Sequence, residues 1–256
     1  MDTIIQILAR ELGRSEAHVE NVVRLIDEGN TIPFIARYRK ELHGAMDDTA
    51  LRTLADRLQY LRNLDKRREE VKSAIEGQGK LTEELSAAID AAATLAEVED
   101  LYRPYRQKRR TRATVAREKG LEPLAELLFA QAADGPAPEE AAGAFVDPEK
   151  GVETAEDALQ GASDILAEEI SDDADIRREL RQLYLRRGML ASRAAAKEPE
   201  DTVYRLYYAF RSPLNRVQGH QVLAINRGER EEILKVSVEM DRETALIPIR
   251  RAVLRP

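Results

Sequence analysis

Between Asp47 and Glu76 apolar residues recur every three or four positions, at Leu51, Leu54, Leu58, Leu61 and Leu64 and then at Val71 and Ile75. That spacing gathers them on one face of an α-helix, so the run predicts a rod of about 45 Å at 1.5 Å per residue. A rod with a single apolar stripe has to be covered by other helices.

The flanking sequence supplies them. One short helix ends near Gly13, and a second starts at Ser15, an N-cap residue, and stops at Gly29. In "NTIPFIARYRKE", Thr31 caps and Pro33 occupies the first turn of a brief helix carrying Arg37, Arg39 and Lys40. Three helices with tight turns over residues 1–44 resemble a helix-turn-helix. After the rod, "EGQGK" breaks the pattern and "LTEELSAAIDAAA" makes another helix. Thr94 and Glu97 then form a capping box for a short helix ending near Tyr102. Pro104 is expected to push Arg103 out of helical geometry.

Pro123 restarts a helix through Phe129, and "AADGPAPEEAAG" reads as a loop leading into a poorly ordered helix. Amphipathic helices are expected from about Thr154 to Ile170 and from about Asp175 to Leu190. The pattern changes at "HQVLAINRGEREEILKVSVEM", whose apolar and polar residues alternate on both sides of Arg227 and Gly228, as in a β-hairpin. A lone hairpin is marginal in water, so more sheet is expected after the final "IRRAVLRP". The fold class expected is mainly α, with one long central helix and a small hairpin near the C-terminus.

Of the 256 residues 43% are hydrophobic, enough for a real core. Cysteine is absent, which excludes disulfides, thiolate metal sites and thiol nucleophiles. No apolar run approaches the length that crosses a bilayer, and a cytoplasmic location is expected, with no membrane partner.

His18, His43 and His220 lack the i, i+4 spacing of two ligands on one helical face, and read as surface or packing histidines. Carboxylate pairs such as Glu97 with Asp100 and Asp172 with Asp173 are explained by capping and solvated faces. Neither a phosphate-cradling glycine loop nor a nucleophile elbow occurs. No catalytic residue, metal or cofactor is therefore expected.

The chemistry that stands out is electrostatic. The chain has a formal net charge of -7, yet Leu101 to Gly120, "LYRPYRQKRRTRATVAREKG", holds eight Lys or Arg residues against the one acid Glu118. Arg103, Arg106, Lys108, Arg109, Arg110 and Arg112 can meet successive phosphates, with Tyr102 and Tyr105 available to stack on bases. Three destinations stay open: docking onto the acidic remainder of the chain, nucleic acid, or a protein partner with an acidic surface. Arg37, Arg39 and Lys40 are also candidates, as a recognition helix presented to a duplex. The alternative there is a buried turn in which Pro33, Phe34 and Ile35 pack and the basic residues complement the helix dipole.

Four motifs, "GNTIPFIARYRKE", "DLYRPYRQKRRTRATVAREKGLEPLA", "ILAEEISDDADIRRELR" and "HQVLAINRGEREEIL", fall in the order seen in the N-terminal region of bacterial Tex-family transcription accessory proteins. The resemblance covers about Ile4 to Val238. It implies a helical domain over 1–200, with the helix-turn-helix-like element at 1–44 and the long helix at 47–76. A segment over 201–256 would lead into a YqgF-type ribonuclease-H-like domain that is absent from this sequence. It also implies a non-catalytic scaffold that binds RNA or DNA in transcription, together with an S1 domain that this sequence also lacks. The alternative is a protein-interaction module docking on RNA polymerase or ribosomal machinery, through acidic helices between Thr154 and Leu190. Two positions depart from the family pattern: His43 replaces a usual Thr, and Gln221 replaces a usual Arg, so no phosphate contact is expected at Gln221.

Overall fold

Leu51, Leu54, Leu58, Leu61, Leu64, Val71 and Ile75 are all buried along one face of a 29-residue helix, Asp48–Glu76, in a computed structural model that describes residues 3–107, 109–197 and 200–255. Among the described residues thirteen α-helices and three strands pack into two units, Met1–Tyr105 and Arg106–Pro256. None of these helices is long and apolar enough to cross a membrane.

In the first unit the long helix, α4, is the fourth element. Before it come α1 (Ile4–Leu12), α2 (Glu16–Asp27) and α3 (Ile32–Tyr38), and after it α5 (Glu83–Ala91) and α6 (Leu95–Tyr102). Each start has a local cause. Thr3 and Gln6 form a capping box on α1, and Thr94 and Glu97 form one on α6. Asp47 accepts the Ala50 amide at 2.7 Å to begin α4. Leu8, Val19, Val22, Ile35, Ile89 and Val98 close the core around the α4 stripe.

Charged pairs then pin the neighbours to α4. Arg57 donates twice to Glu11 of α1, both at 2.7 Å, and Arg62 donates to both oxygens of Asp27 at the end of α2, at 2.7 and 2.8 Å. Further along, Arg67 reaches Glu99 at 2.6 Å and Lys72 reaches Asp90 at 2.8 Å. Arg68 stands where the stripe calls for a leucine. Its side chain is only 14% exposed, and it donates to the Ala92 carbonyl at the end of α5 at 2.7 Å.

The second unit contains α7 (Arg112–Glu118), α8 (Glu122–Ala130), α9 (Pro138–Gly143), α10 (Ala155–Asp172), α11 (Ala174–Arg187), β1 (Met189–Ala194), β2 (Ala209–Pro213), α12 (Gly219–Arg230), β3 (Leu234–Glu239) and α13 (Arg242–Val253). Its helical core is built from small residues: Ala113, Ala116, Ala125, Ala142, Ala158 and Ala162 surround Leu121, Leu124 and Ile165. Gly161 permits that closeness, because a Cβ there would lie 2.3 Å from Leu121 Cδ1. The strands make an antiparallel sheet in the order β2-β1-β3, with Met189 opposite Pro213 on one side and Glu239 on the other. The boundary expected near residue 200 falls inside this unit, between two paired strands.

The mainly helical fold is as expected, but the C-terminal reading needs correction. Gly219–Arg230 is a helix, and only Leu234–Glu239 is a strand, paired to β1 rather than to the segment before it. Gly228 is no turn residue: a Cβ there would sit 2.7 Å from Leu234 Cδ1 and 3.1 Å from Tyr204 Cδ1, so the glycine brings α12 against β3. Arg103 also differs from expectation, with helical angles of φ -54 and ψ -42. The chain tightens into a 3-10 turn over Arg103–Tyr105, where Pro104 is accommodated because a 3-10 start demands no amide from it. Helix α11 stops at Arg187, so Leu190 belongs to β1. The segment after "AADGP" forms a short helix whose Ala141 and Ala142 are buried.

Candidate nucleic-acid interface

The basic stretch divides by what each side chain meets. Arg117 is the most committed: its guanidinium reaches Glu168 and Glu169 at 3.0 Å and Glu122 at 3.1 Å. Burial opposes the charge there, yet the hydrogen bonds to the three carboxylates prevail and hold the Arg117 pKa above its ordinary value. Lys119 donates to the Gly151 carbonyl at 2.6 Å. These two cations are therefore fasteners of the second unit.

The cations just before them are placed differently. Thr111 accepts the Thr114 amide at 3.0 Å and starts α7, so Arg112 stands in its first turn. The Arg112 side chain is 85% exposed, and its nearest acid is Asp164 at 3.6 Å. Arg110 pairs with Glu118 at 2.9 Å while remaining 71% exposed. Arg109 is exposed and makes no ion pair among the described residues. Arg110 and Arg112 stand at the lip of a cleft of about 570 Å³ between α7 and α10, whose wall includes Val115 and Leu121 and whose other side carries Asp157. Arg106 is exposed and already engaged by a neighbour. Lys108, also expected to contribute, lies outside the described residues. Arg103 belongs to the first unit, where it is exposed and likewise engaged.

Arg37, Arg39 and Lys40 gather at the end of α3, in the first unit. Ile35 is buried, as the packing alternative requires. The rings of Phe34 and Tyr38 lie 5.2 Å apart, with the Arg39 guanidinium 5.3 Å from the Phe34 ring and the Arg37 guanidinium 6.0 Å from that of Tyr38. Such stacking holds planar cations over aromatic faces. Arg39 also donates to the Tyr38 carbonyl at 3.1 Å, which complements the helix end. Tyr38 is more than half exposed and Lys40 is exposed, so this face offers an aromatic and cationic surface together with its structural role.

The histidines separate as well. His43 is buried, His18 lies against Gly44, and His220 is exposed. Gln221 accepts the Gln218 amide at 2.9 Å and so closes a capping box on α12. No group of three His, Asp or Glu residues suited to a metal converges among the described residues.

Comparison with known proteins places this geometry in a family. Residues 2–76 match the Tex-like protein N-terminal domain, and residues 134–252 match the Tex central region-like family. The chain is 48% identical over 236 residues to uncharacterized protein YdcI of Bacillus subtilis, covering 91% of this chain and 33% of that protein. It is 40% identical over 237 residues to the transcriptional accessory protein Tex of Neisseria gonorrhoeae, covering 92% and 31%. Identity to the human S1 RNA-binding domain-containing protein 1 is 32% over 246 residues, covering 93% and 24%. The chain thus spans about a third or less of the length of these relatives. With two successive matches over most of its length, the chain belongs to the Tex family and corresponds to the N-terminal part of its longer members.

Proposed function

We propose that this chain is a non-catalytic helical module of a cytoplasmic Tex-like transcription accessory protein, and that it binds nucleic-acid backbone. The observation that carries the proposal is the placement of Arg109, Arg110 and Arg112. All three are exposed, and Arg110 and Arg112 line an open cleft, whereas Arg117 and Lys119, only a few residues on, are used up inside the unit. Guanidinium forks match phosphate oxygens in pairs, and release of condensed counterions supplies the free energy without any reading of sequence. The relatives' names, a transcriptional accessory protein and an S1 RNA-binding domain-containing protein, support the same ligand class. In the longer protein, an S1 domain and contact with RNA polymerase would add to what this module does.

Titration of the 256-residue chain with single-stranded RNA and duplex DNA across salt tests the proposal. Three phosphate contacts by Arg109, Arg110 and Arg112 predict that replacing all three with Gln flattens the log-log salt slope by about 2 for RNA and about 3 for duplex. Absence of binding at low salt overturns it.

A protein-docking reading has one observation in its favour. Helix α10 carries Glu156, Asp157, Asp164, Glu168, Glu169 and Asp172 and no Lys or Arg. Of the segment expected to be acidic between Thr154 and Leu190, α10 alone has that character, since α11 is rich in arginine. Capture of RNA polymerase that survives nuclease and disappears on charge reversal along α10 would select this reading.

A further inference from the structure

Away from the basic connector, the same unit contains a second cationic feature. Helices α11 and α13 together hold eight arginines and only three acids, in a chain whose formal net charge is -7. They pack against each other although more than fifty residues separate them, and α13 is tied down at its far end. There Gln131, which follows α8, donates to the Val253 carbonyl at 2.9 Å and accepts the Arg255 amide at 3.1 Å.

Between the two helices lies a cleft of about 520 Å³. Arg186 and Arg187 enter it from α11, and Arg251 enters it from α13. Each is exposed, and none has an ion pair or hydrogen bond among the described residues. Other arginines of these helices are occupied, Arg178 by Asp175 at 2.7 Å and Arg250 by Glu243 at 2.9 Å. Leu183, Ile247 and Pro248 form the apolar part of the wall, and Glu179 is the one acid in it. All three arginines sit in last turns, where the helix C-terminal dipole favours a cation. That dipole amounts to about half a charge per helix, too little to balance three guanidinium groups.

We propose that this cleft is a second phosphate-binding site, which grips the backbone of single-stranded nucleic acid. Its volume is that of a pocket for one or two nucleotides and not that of a groove for a duplex. Three guanidinium forks supply paired donors to phosphate oxygens, and the apolar wall offers a face on which a base can rest. The inference rests on the nucleic-acid reading above and adds a site that the connector does not include.

The test is fluorescence anisotropy of a labelled oligouridine with the whole chain. Wild type is compared with a variant carrying Arg186→Gln, Arg187→Gln and Arg251→Gln, and with one carrying Arg109→Gln, Arg110→Gln and Arg112→Gln. The cleft variant is expected to bind about tenfold more weakly and to lose about 2 from the salt slope. Loss with the connector variant alone overturns the cleft and leaves the proposed function standing; loss with the cleft variant alone upholds the cleft and removes the connector. Loss with both upholds both sites, and loss with neither, or no binding by wild type, overturns both. An acidic polyglutamate peptide that competes for the three arginines when RNA does not would give the cleft to a protein ligand and overturn the assignment. Should the cleft variant not fold, modification of wild-type arginines by phenylglyoxal gives the answer: RNA must shield Arg186, Arg187 and Arg251, and equal labelling with and without RNA sinks the proposal.

Discussion

Arg117 of α7 meets Glu168 of α10 at 3.0 Å, although fifty-one positions separate them in the chain. The Arg117 side chain is 30% exposed and that of Glu168 17%, so the pair stands between a solvent-screened contact and a buried one. Arg117→Ala leaves three carboxylates converging without a cation, and should cost the second unit about 1 to 3 kcal/mol. Arg117→Lys should recover only part of this, because an ammonium cannot fork to three acceptors in a plane. Urea unfolding measures both, and oligouridine affinity should be unchanged in each.

Gly228 tests the corrected C-terminal fold. Alanine usually favours a helix over glycine by roughly 1 kcal/mol, so a free helix would gain from Gly228→Ala. Here the added Cβ meets Leu234 and Tyr204, and the variant should instead lose about 1 to 3 kcal/mol. A gain in thermal stability would contradict the packing of α12 on β3.

Gly44 and His18 should prove coupled. The glycine has φ +59, and a Cβ there would lie 2.3 Å from His18 Nδ1. Gly44→Ala combines left-handed backbone strain of about 1 to 2 kcal/mol with that collision. Adding His18→Ala removes the collision and leaves the strain, so a double-mutant cycle should give a positive rescue of at least about 0.5 kcal/mol. Strict additivity would show that the ring moves aside freely.

Acid should loosen the first unit in a defined window. The hydrogen bond from Arg57, against a smaller opposing effect of burial, holds Glu11 below its ordinary 4.5, and Arg62 does the same for Asp27 below 3.8. Both folded-state values are depressed, so the unfolded chain binds more protons as pH falls. The stabilisation is complete above about pH 5.5, and it disappears as pH drops through 4.5 and 3.8 toward the lower folded values. With side chains between a third and a half exposed, each pair contributes about 0.2 to 1 kcal/mol. Unfolding followed between pH 6 and pH 3 should show a shallower decline once Arg57 and Arg62 are both replaced by Gln.

Much of the first unit was legible because its signals are local. The α4 stripe repeats over eight turns, and the Thr94 and Glu97 pair closes its box within four residues. The α12 segment was misread because its apolar residues suit either period over so short a run. The deciding partners, Leu234 and Tyr204, come from outside it. The same limit applies to the arginines: in sequence Arg117 and Arg109 look alike, and only folding brings Glu168 and Glu169 to the first and leaves the second in water. The α11 and α13 cleft has no sequence signature at all, since its two walls meet only in the folded chain.

Arg68 gives α4 something seven aliphatic side chains cannot. Leucines alone would tolerate sliding by one turn, since each would find another leucine's seat. The Arg68 guanidinium keeps its own-helix partner Asp65 in any register, but only one alignment also sets it against the Ala92 carbonyl, and sliding by a turn forfeits that hydrogen bond at a site only 14% exposed. It is the index mark on the ruler, so removing it should leave a rod that is well packed but uncertain of its register.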